Sequence, residues 1–362
     1  MNNRARSWVS GVVRRQYFWG IVGILVLLML NTIKKPDYLA ITMNPATGNL
    51  AGNLIDILRA AAPILMIAIG MALVIATGGI DLSVGSFMVV AGAVSMEFLK
   101  AAGDASSVGA MLGALGLALA LSGILGAVNG VLVSVVGLQP FVTTLVMMLA
   151  GRGVAKVITS GQNTSASNDP FRWIANGYLF GLPAVFLIAI AIVVLVSLVV
   201  RRSALGLMIE AIGINPQASR MAGVKPRGLI ISVYTIGGVL AGIAGVFAVS
   251  SAMTVDVSRT GYQIELDAIL AVVIGGTALI GGKFSLGGAT VGAMLIATLD
   301  KTVVFLGVSS SATPAFKAAV IIVICLLQSK RVRTFISRRR ARGTPPPRPV
   351  EPLPVRKEEV PA

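Results

Sequence analysis

The sequence predicts an all-α protein that crosses a membrane about ten times, with broken or re-entrant segments among its helices. Three observations carry this. Only 12% of the 362 residues are charged, while 56% are hydrophobic. A soluble domain carries roughly 25% charge, so there is too little polar surface here to coat a water-soluble particle. The 41 glycines suit membrane helices, where small residues let backbones approach closely. Finally, apolar runs near the length of a span, about 20 residues, recur along the whole chain.

In order, the candidate spans are 16–33, 55–77, 83–100, 108–136, 140–159, 180–200, 227–250, 266–282, 286–307 and 314–329. The eighth is interrupted by glycine near its end. Arg4, Arg6, Arg14 and Arg15 precede the first run, which resembles a signal peptide in outline. The run is long for one, and Lys34-Lys35-Pro36-Asp37 offers no small-x-small cleavage site. An uncleaved first span is expected.

The net charge of +16 is uneven, and ten of the 30 basic residues follow residue 329. Arg201, Arg202, Arg220 and Lys225 occupy the loop 201–226, whereas Asp37, Asp104, Asp169, Asp256 and Glu265 offset the basic residues of the alternate loops. The positive-inside rule then puts both termini and the 201–226 loop in the cytoplasm, which requires an even number of spans. Basic tails beside apolar spans suit anionic lipid, not nucleic acid. The expected organisation is a basic tail (1–15), a transmembrane domain (16–329) with the cytoplasmic loop 201–226, and a basic, proline-rich disordered tail (330–362).

Several chemistries are excluded. There is no histidine, and Cys325 is the single cysteine. That removes an intrachain disulfide framework, histidine-ligated zinc, cysteine-rich metal sites and histidine-based triads; no metal site is expected. Gly281-Gly282-Lys283-Phe284 looks like the end of a phosphate-binding loop, but that loop needs glycine at 277 and Ser or Thr at 284. Those positions hold Thr277 and Phe284.

Polar and glycine-rich punctuation marks the candidate sites. Gly78 and Gly79 break a helix, and Asp81 and Ser83 are good caps for the next one. This stretch is either a capped turn at the membrane face or a broken helix lining a solute route, since freed backbone must be buried in protein or line water. A weak echo follows, where Gly275-Gly276 leads on to Ser285-Leu286-Gly287-Gly288. The pairs Gly109/Gly113, Gly126/Gly130, Gly238/Gly242 and Gly288/Gly292 mark tight helix contacts. Asn129 is an interhelical hydrogen bonder or a contact for a polar solute, and Gln139-Pro140 starts the fifth span. In the basic loop, Asn215 caps a short helix that begins at Pro216 and ends by Gly223. Small residues dominate this loop, which suits docking into a partner's groove.

The loop from Ala204 to Val224 resembles the coupling segment of membrane permeases in bacterial ATP-binding cassette sugar importers. The likeness is to the branch for ribose, arabinose, xylose, galactose and galactofuranose, and extends roughly from Ile55 to Lys330. It includes Ala68 to Gly85, Asn129 to Gly151 and Glu265 to Gly288; Ile57 to Gly85 and Gly206 to Val224 look most similar to galactofuranose permeases. The resemblance implies a transport subunit of the bacterial inner membrane, not an enzyme. It implies a dimer with itself or a sister permease, two ATPase subunits docked on the loop, and a periplasmic sugar-binding protein. No cofactor is expected on this chain, with ATP-Mg held by the ATPase. The expected coupling residues are Glu210, Ala211, Gly213, Asn215, Ala218 and Gly223. The expected substrate path is Gly78, Gly79, Asp81, Ser83, Asn129 and Gln139. The short helix near 215–222 would pass ATPase motion to spans six and seven.

The alternative is an ion-coupled secondary transporter, which needs ionisable residues at midmembrane. Asp81, Glu97, Arg59, Arg152, Lys156, Asp300, Lys301 and Lys317 fall near expected span ends, Asp81 and Arg152 being the two that burial could draw inward. That counts against it. A membrane enzyme lacks a histidine, a metal cluster or a nucleophile–base pair to work with.

Overall fold

The computed structural model describes residues 17–43, 48–309 and 311–328. The expected tails, 1–15 and 330–362, lie outside the described residues. Among these residues the chain forms 13 α-helices. Eight are long and apolar enough to cross a membrane: α1 (Tyr17–Lys34), α2 (Asn53–Ala76), α3 (Val84–Ala102), α4 (Val108–Val131, extended by the π turn Leu132–Val136), α5 (Pro140–Ile158), α7 (Ala184–Arg202), α10 (Pro226–Ala252) and α12 (Leu286–Leu306). The short α6 (Asp169–Asn176), α8 (Leu205–Ile214) and α9 (Pro216–Met221) lie between them.

Two expected spans are shorter. α11 (Ile264–Ile274) has 11 residues and α13 (Thr313–Gln328) has 16. At about 1.5 Å per residue, α11 reaches only halfway across a bilayer. Gly275 and Gly276 end it, and the chain continues as loop 275–285, so the eighth expected span is a short helix flanked by irregular backbone.

Local chemistry sets the boundaries. Ser107 Oγ accepts from Ala110 N at 3.0 Å to cap α4, and Ser285 Oγ accepts from Gly288 N at 3.0 Å to cap α12. Pro140 and Pro226 sit in the first turns of α5 and α10, where their missing N–H costs nothing. Pro63 lies inside α2, where it removes a backbone hydrogen bond. In the loop after α3, Asp104 accepts from the backbone N–H and then the hydroxyl of Ser106, which holds its carboxyl below the usual range.

α2 and α3 form the centre. Every residue from Ile64 to Ala76 and from Asp81 to Ala93 is buried. α10 packs on α2, α3 and α4, while α12 packs on α1, α2 and α11. The α4–α10 seam is a glycine seam: a Cβ at Gly126 or Gly238 would collide with Tyr234 O or Ser122 O. Gly288 and Gly292 similarly press on the backbone of α11. Gly109/Gly113 differs, because Gly113 faces the ring of Phe98 and Gly109 is nearly open. The outer helices α1, α5 and α7 turn apolar side chains such as Met29, Leu149 and Leu195 outward, as lipid requires.

Loops 77–83, 137–139, 201–226 and 275–285 gather at one end. The opposite end carries three antiparallel pairs of two-residue strands, Thr42–Met43 with Leu50–Ala51, Thr164–Ser165 with Thr254–Val255, and Tyr178–Leu179 with Leu182–Pro183. There Glu97 accepts from Thr164 Oγ1 at 2.5 Å; Arg152, deeper in the bundle, donates at 3.0 Å to Gly261 O, which lies against Gly85 in the first turn of α3. Both ionisable groups are thereby tied to loops.

Candidate functional site

Gly78, at φ +83°, ends α2 and turns the chain back into the core. Asp81 and Ser83 are fully buried there. Neither side chain caps α3 as their spacing suggested. Instead Asp81 Oδ1 accepts from Ser83 N at 2.9 Å and from the Ser83 hydroxyl, so the carboxylate shapes the turn itself. Asn129, on α4 and fully buried, donates to Ser83 Oγ at 2.8 Å. Thr144, on α5, donates to Ile80 O at 3.1 Å. Tyr234 of α10 closes the group from the far side, its hydroxyl 2.6 Å from where a Gly79 Cβ would sit.

The structure therefore brings Gly79, Asp81, Ser83 and Asn129 together in the protein interior. Gly78 is exposed at their edge, and Gln139 lies apart in the exposed 137–139 connection. Tyr234 was not expected from sequence; a lone tyrosine in an apolar span gives no pattern. Asp81 Oδ2, Asn129 Oδ1 and Tyr234 Oη have no hydrogen-bond partner among the described residues. In such a buried network each bond is strong and each loss costly. Asn129→Leu is expected to cost about 1–3 kcal/mol, read as a lower melting temperature in detergent; an unchanged melt would remove the network from the stability of the loop.

The glycine echo is structural. α2, loop 77–83 and α3 are matched by α11, loop 275–285 and α12, and both loops lie at the same end. In the second loop Gly276 has φ +96°, and the buried Thr277 accepts from Ser285 N at 3.3 Å.

α8 locks onto both loops. Gly213, in its last turn, has no room for a Cβ, which would collide with Ala76 O and Gly282 N. Gly282 N in turn donates to Ala76 O at 2.8 Å. A Cβ at Gly281 would lie 2.9 Å from both Gly213 O and Gly78 Cα. Three segments thus meet backbone to backbone. α8 also packs on α7 and α9 on α10, which are the expected sixth and seventh spans, but the tightest contact is with the broken loops.

The loop around α8 and α9 has an ordered outer face. Asn215 Oδ1 accepts from Gln217 N and Ala218 N, both at 3.0 Å, and Gly223 at φ +86° follows the helix end. Asn215, Ala218 and Gly223 are exposed; Glu210, Ala211 and Gly213 are half-buried. Leu207, Ile214 and Met221 stand 76%, 76% and 90% exposed, an apolar row bordered by Arg201, Arg202 and Arg220.

A second polar group lies toward the opposite end. Lys317 of α13 pairs with Asp300 of α12 at 2.5 Å and with Asp267 of α11 at 3.0 Å. The expectation that Asp300 and Lys317 simply sit at span ends missed this pairing, which joins three helices. No group of three or more His, Cys, Asp or Glu suited to a metal occurs among the described residues.

These features describe a multi-pass helical membrane protein whose surface loop grips two broken-helix loops. The chain belongs to the family of branched-chain amino acid transport system permease components, whose family model matches residues 53–326. It is 52% identical over 333 residues to the fructose import permease protein FruF of Bifidobacterium longum NCC 2705, covering 91% of this chain and 92% of that one. It is 39% identical over 339 residues to the galactofuranose transporter permease protein YtfT of Escherichia coli K12, with 94% and 95% covered. Identity with the ribose import permease protein RbsC of the same organism is 37% over 336 residues, with 89% and 98% covered. No solved structure matches. The chain is accordingly a multi-pass permease subunit of an ATP-binding cassette importer in the inner membrane, a transport subunit and not an enzyme, and works with ATPase and substrate-binding subunits.

Proposed function

We propose that this chain carries a monosaccharide across the inner membrane, and that ATPase subunits grip it at 204–224. The observation that carries the coupling reading is the backbone junction of Gly213, Ala76 and Gly282. A partner that moves α8 must move both broken loops with it, because no side chain lies between them to yield. The exposed row Leu207, Ile214 and Met221 supplies the apolar anchor such a partner needs.

The basic residues of loop 201–226 support a cytoplasmic position for it and for both termini. Two copies, or one copy and a sister permease, form the conduit, and a periplasmic sugar-binding protein feeds it. ATP-Mg is held by the ATPase; this chain binds no nucleotide. Closure of the ATPase pair shifts α8, and the 77–83 and 275–285 loops follow. Loop 77–83, held in shape by Asp81, Ser83 and Asn129, is the moving wall of the path, with Gly78 and Gln139 on its exposed side. The 52% identity with a fructose permease makes fructose the first substrate to test, ahead of galactofuranose.

The test is uptake of labelled fructose, galactofuranose and ribose into liposomes that hold the permease, its ATPase and its binding protein. Uptake must follow ATP and ignore an uncoupler; the reverse would make the protein a secondary transporter. Met221→Glu is expected to abolish co-purification of the ATPase while leaving the permease melting temperature unchanged, since Met221 touches little of its own chain. Retained co-purification would move the docking surface elsewhere.

A further inference from the structure

At the end opposite the docking loop, a cavity of about 370 Å³ opens between α2, α6, α7, α10 and α12. Its size falls within the roughly 300–1,000 Å³ of small-molecule sites. Asp56 and Arg59 on α2, Ser251 on α10 and Lys301 on α12 give it donors and acceptors, and Phe247 with Pro63 gives it an apolar wall. Two other cavities, each of about 330 Å³, differ in kind. One, between α1 and α13, is lined almost wholly by apolar side chains; the other lies beside Arg201 and Glu210 at the docking loop.

The polar groups of the first cavity are under-used. Arg59 donates from Nη2 to Tyr178 Oη at 2.6 Å and stacks over that ring at 5.1 Å, which fixes the guanidinium. Its Nε is buried and has no partner. Lys301 makes no ion pair among the described residues, because the neighbouring Asp300 is taken by Lys317. Asp56 likewise has no ion pair among them. A carboxylate in the same wall disfavours an anion. Fixed donors, a free acceptor and an aromatic wall are instead the complement of a polyhydroxy ring, with hydroxyls to bond and a C–H face to pack.

We propose that this cavity is a sugar-receiving site within a single protomer, where a monosaccharide rests on Asp56, Arg59 and Lys301. The proposal builds on the importer reading above. It gives α2 two roles, since its first turns line the cavity and its last residue, Ala76, sits in the junction with α8.

The experiment uses the full-length permease in nanodiscs, without ATPase or binding protein. Ser251→Cys is placed in a Cys325→Ser background and labelled with a membrane-impermeant thiol reagent. Fructose at about ten times its dissociation constant should slow labelling roughly tenfold, and sorbitol should not. Arg59→Gln and Lys301→Met, each checked for an unchanged elution profile, should abolish protection while the sugar-free rate stays the same. Labelling that fructose, galactofuranose and ribose all leave unchanged overturns the site. So does protection by sugar-free binding protein alone, which would make the cavity a socket for that partner. Failure of the importer reading is separate: it appears as no ATP-driven uptake by the assembled transporter, whatever the labelling gives.

Discussion

Gly213→Ala is expected to uncouple the transporter. The glycine has helical backbone, so alanine brings no conformational strain of its own. Its one added carbon collides with Ala76 O and Gly282 N, which are backbone atoms and cannot rotate away. Overpacking of this kind costs about 1–3 kcal/mol. If the cost falls on one state of the cycle, the equilibrium between states shifts roughly 5–150-fold. Liposomes with the complete transporter should keep ATP hydrolysis and lose sugar uptake within that range. Gly287→Ala is the control, because Gly287 is exposed with nothing within 4 Å of an added Cβ. Proportional loss of hydrolysis and uptake would show that the junction holds the fold but does not transmit.

Lys317→Met is expected to be the most damaging single change to stability. It leaves the carboxylates of Asp267 and Asp300 close together without their cation. Breaking a buried pair from one side costs about 3–5 kcal/mol; the 17% and 32% exposure of the two acidic side chains places this at the lower end. Membrane levels and the detergent melting temperature should both fall. Adding Asp267→Asn and Asp300→Asn should restore most of the loss, since replacing a whole charged set is often neutral. A single substitution that melts like the parent protein would remove the triad from the stability of α11 and α13.

The crossing helices were legible because lipid imposes a simple rule on length and composition. So was the short helix of loop 201–226: Asn215, Pro216 and Gly223 are local signals, and they form the cap, start and end they suggest. The interrupted eighth span was half legible. Gly275 and Gly276 marked an interruption, but hydropathy alone carried the eighth span on to residue 282. The long-range pairings were not legible. Tyr234 meets Gly79, and Lys317 meets Asp267, through helix packing that no local pattern encodes. Asp81 read as a helix cap from its position beside Ser83; burial instead turned the same carboxylate onto the Ser83 backbone. Gln139, expected beside the same path, stands apart from Asp81 and Asn129 in the exposed 137–139 connection.

The enclosure of α2 and α3 has a consequence for the lipid in which the protein works. Bilayers of different thickness act on helices that touch acyl chains, which tilt or recruit thinner lipid to match. In this chain those are α1, α4, α5 and α7, each less than a third buried along its apolar stretch, against 78% for α2 and 72% for α3. The outer helices therefore absorb a change of acyl-chain length by tilting, while the broken loop between α2 and α3 keeps its geometry. Uptake should hold steady across lipids of differing chain length until the outer ring itself comes away.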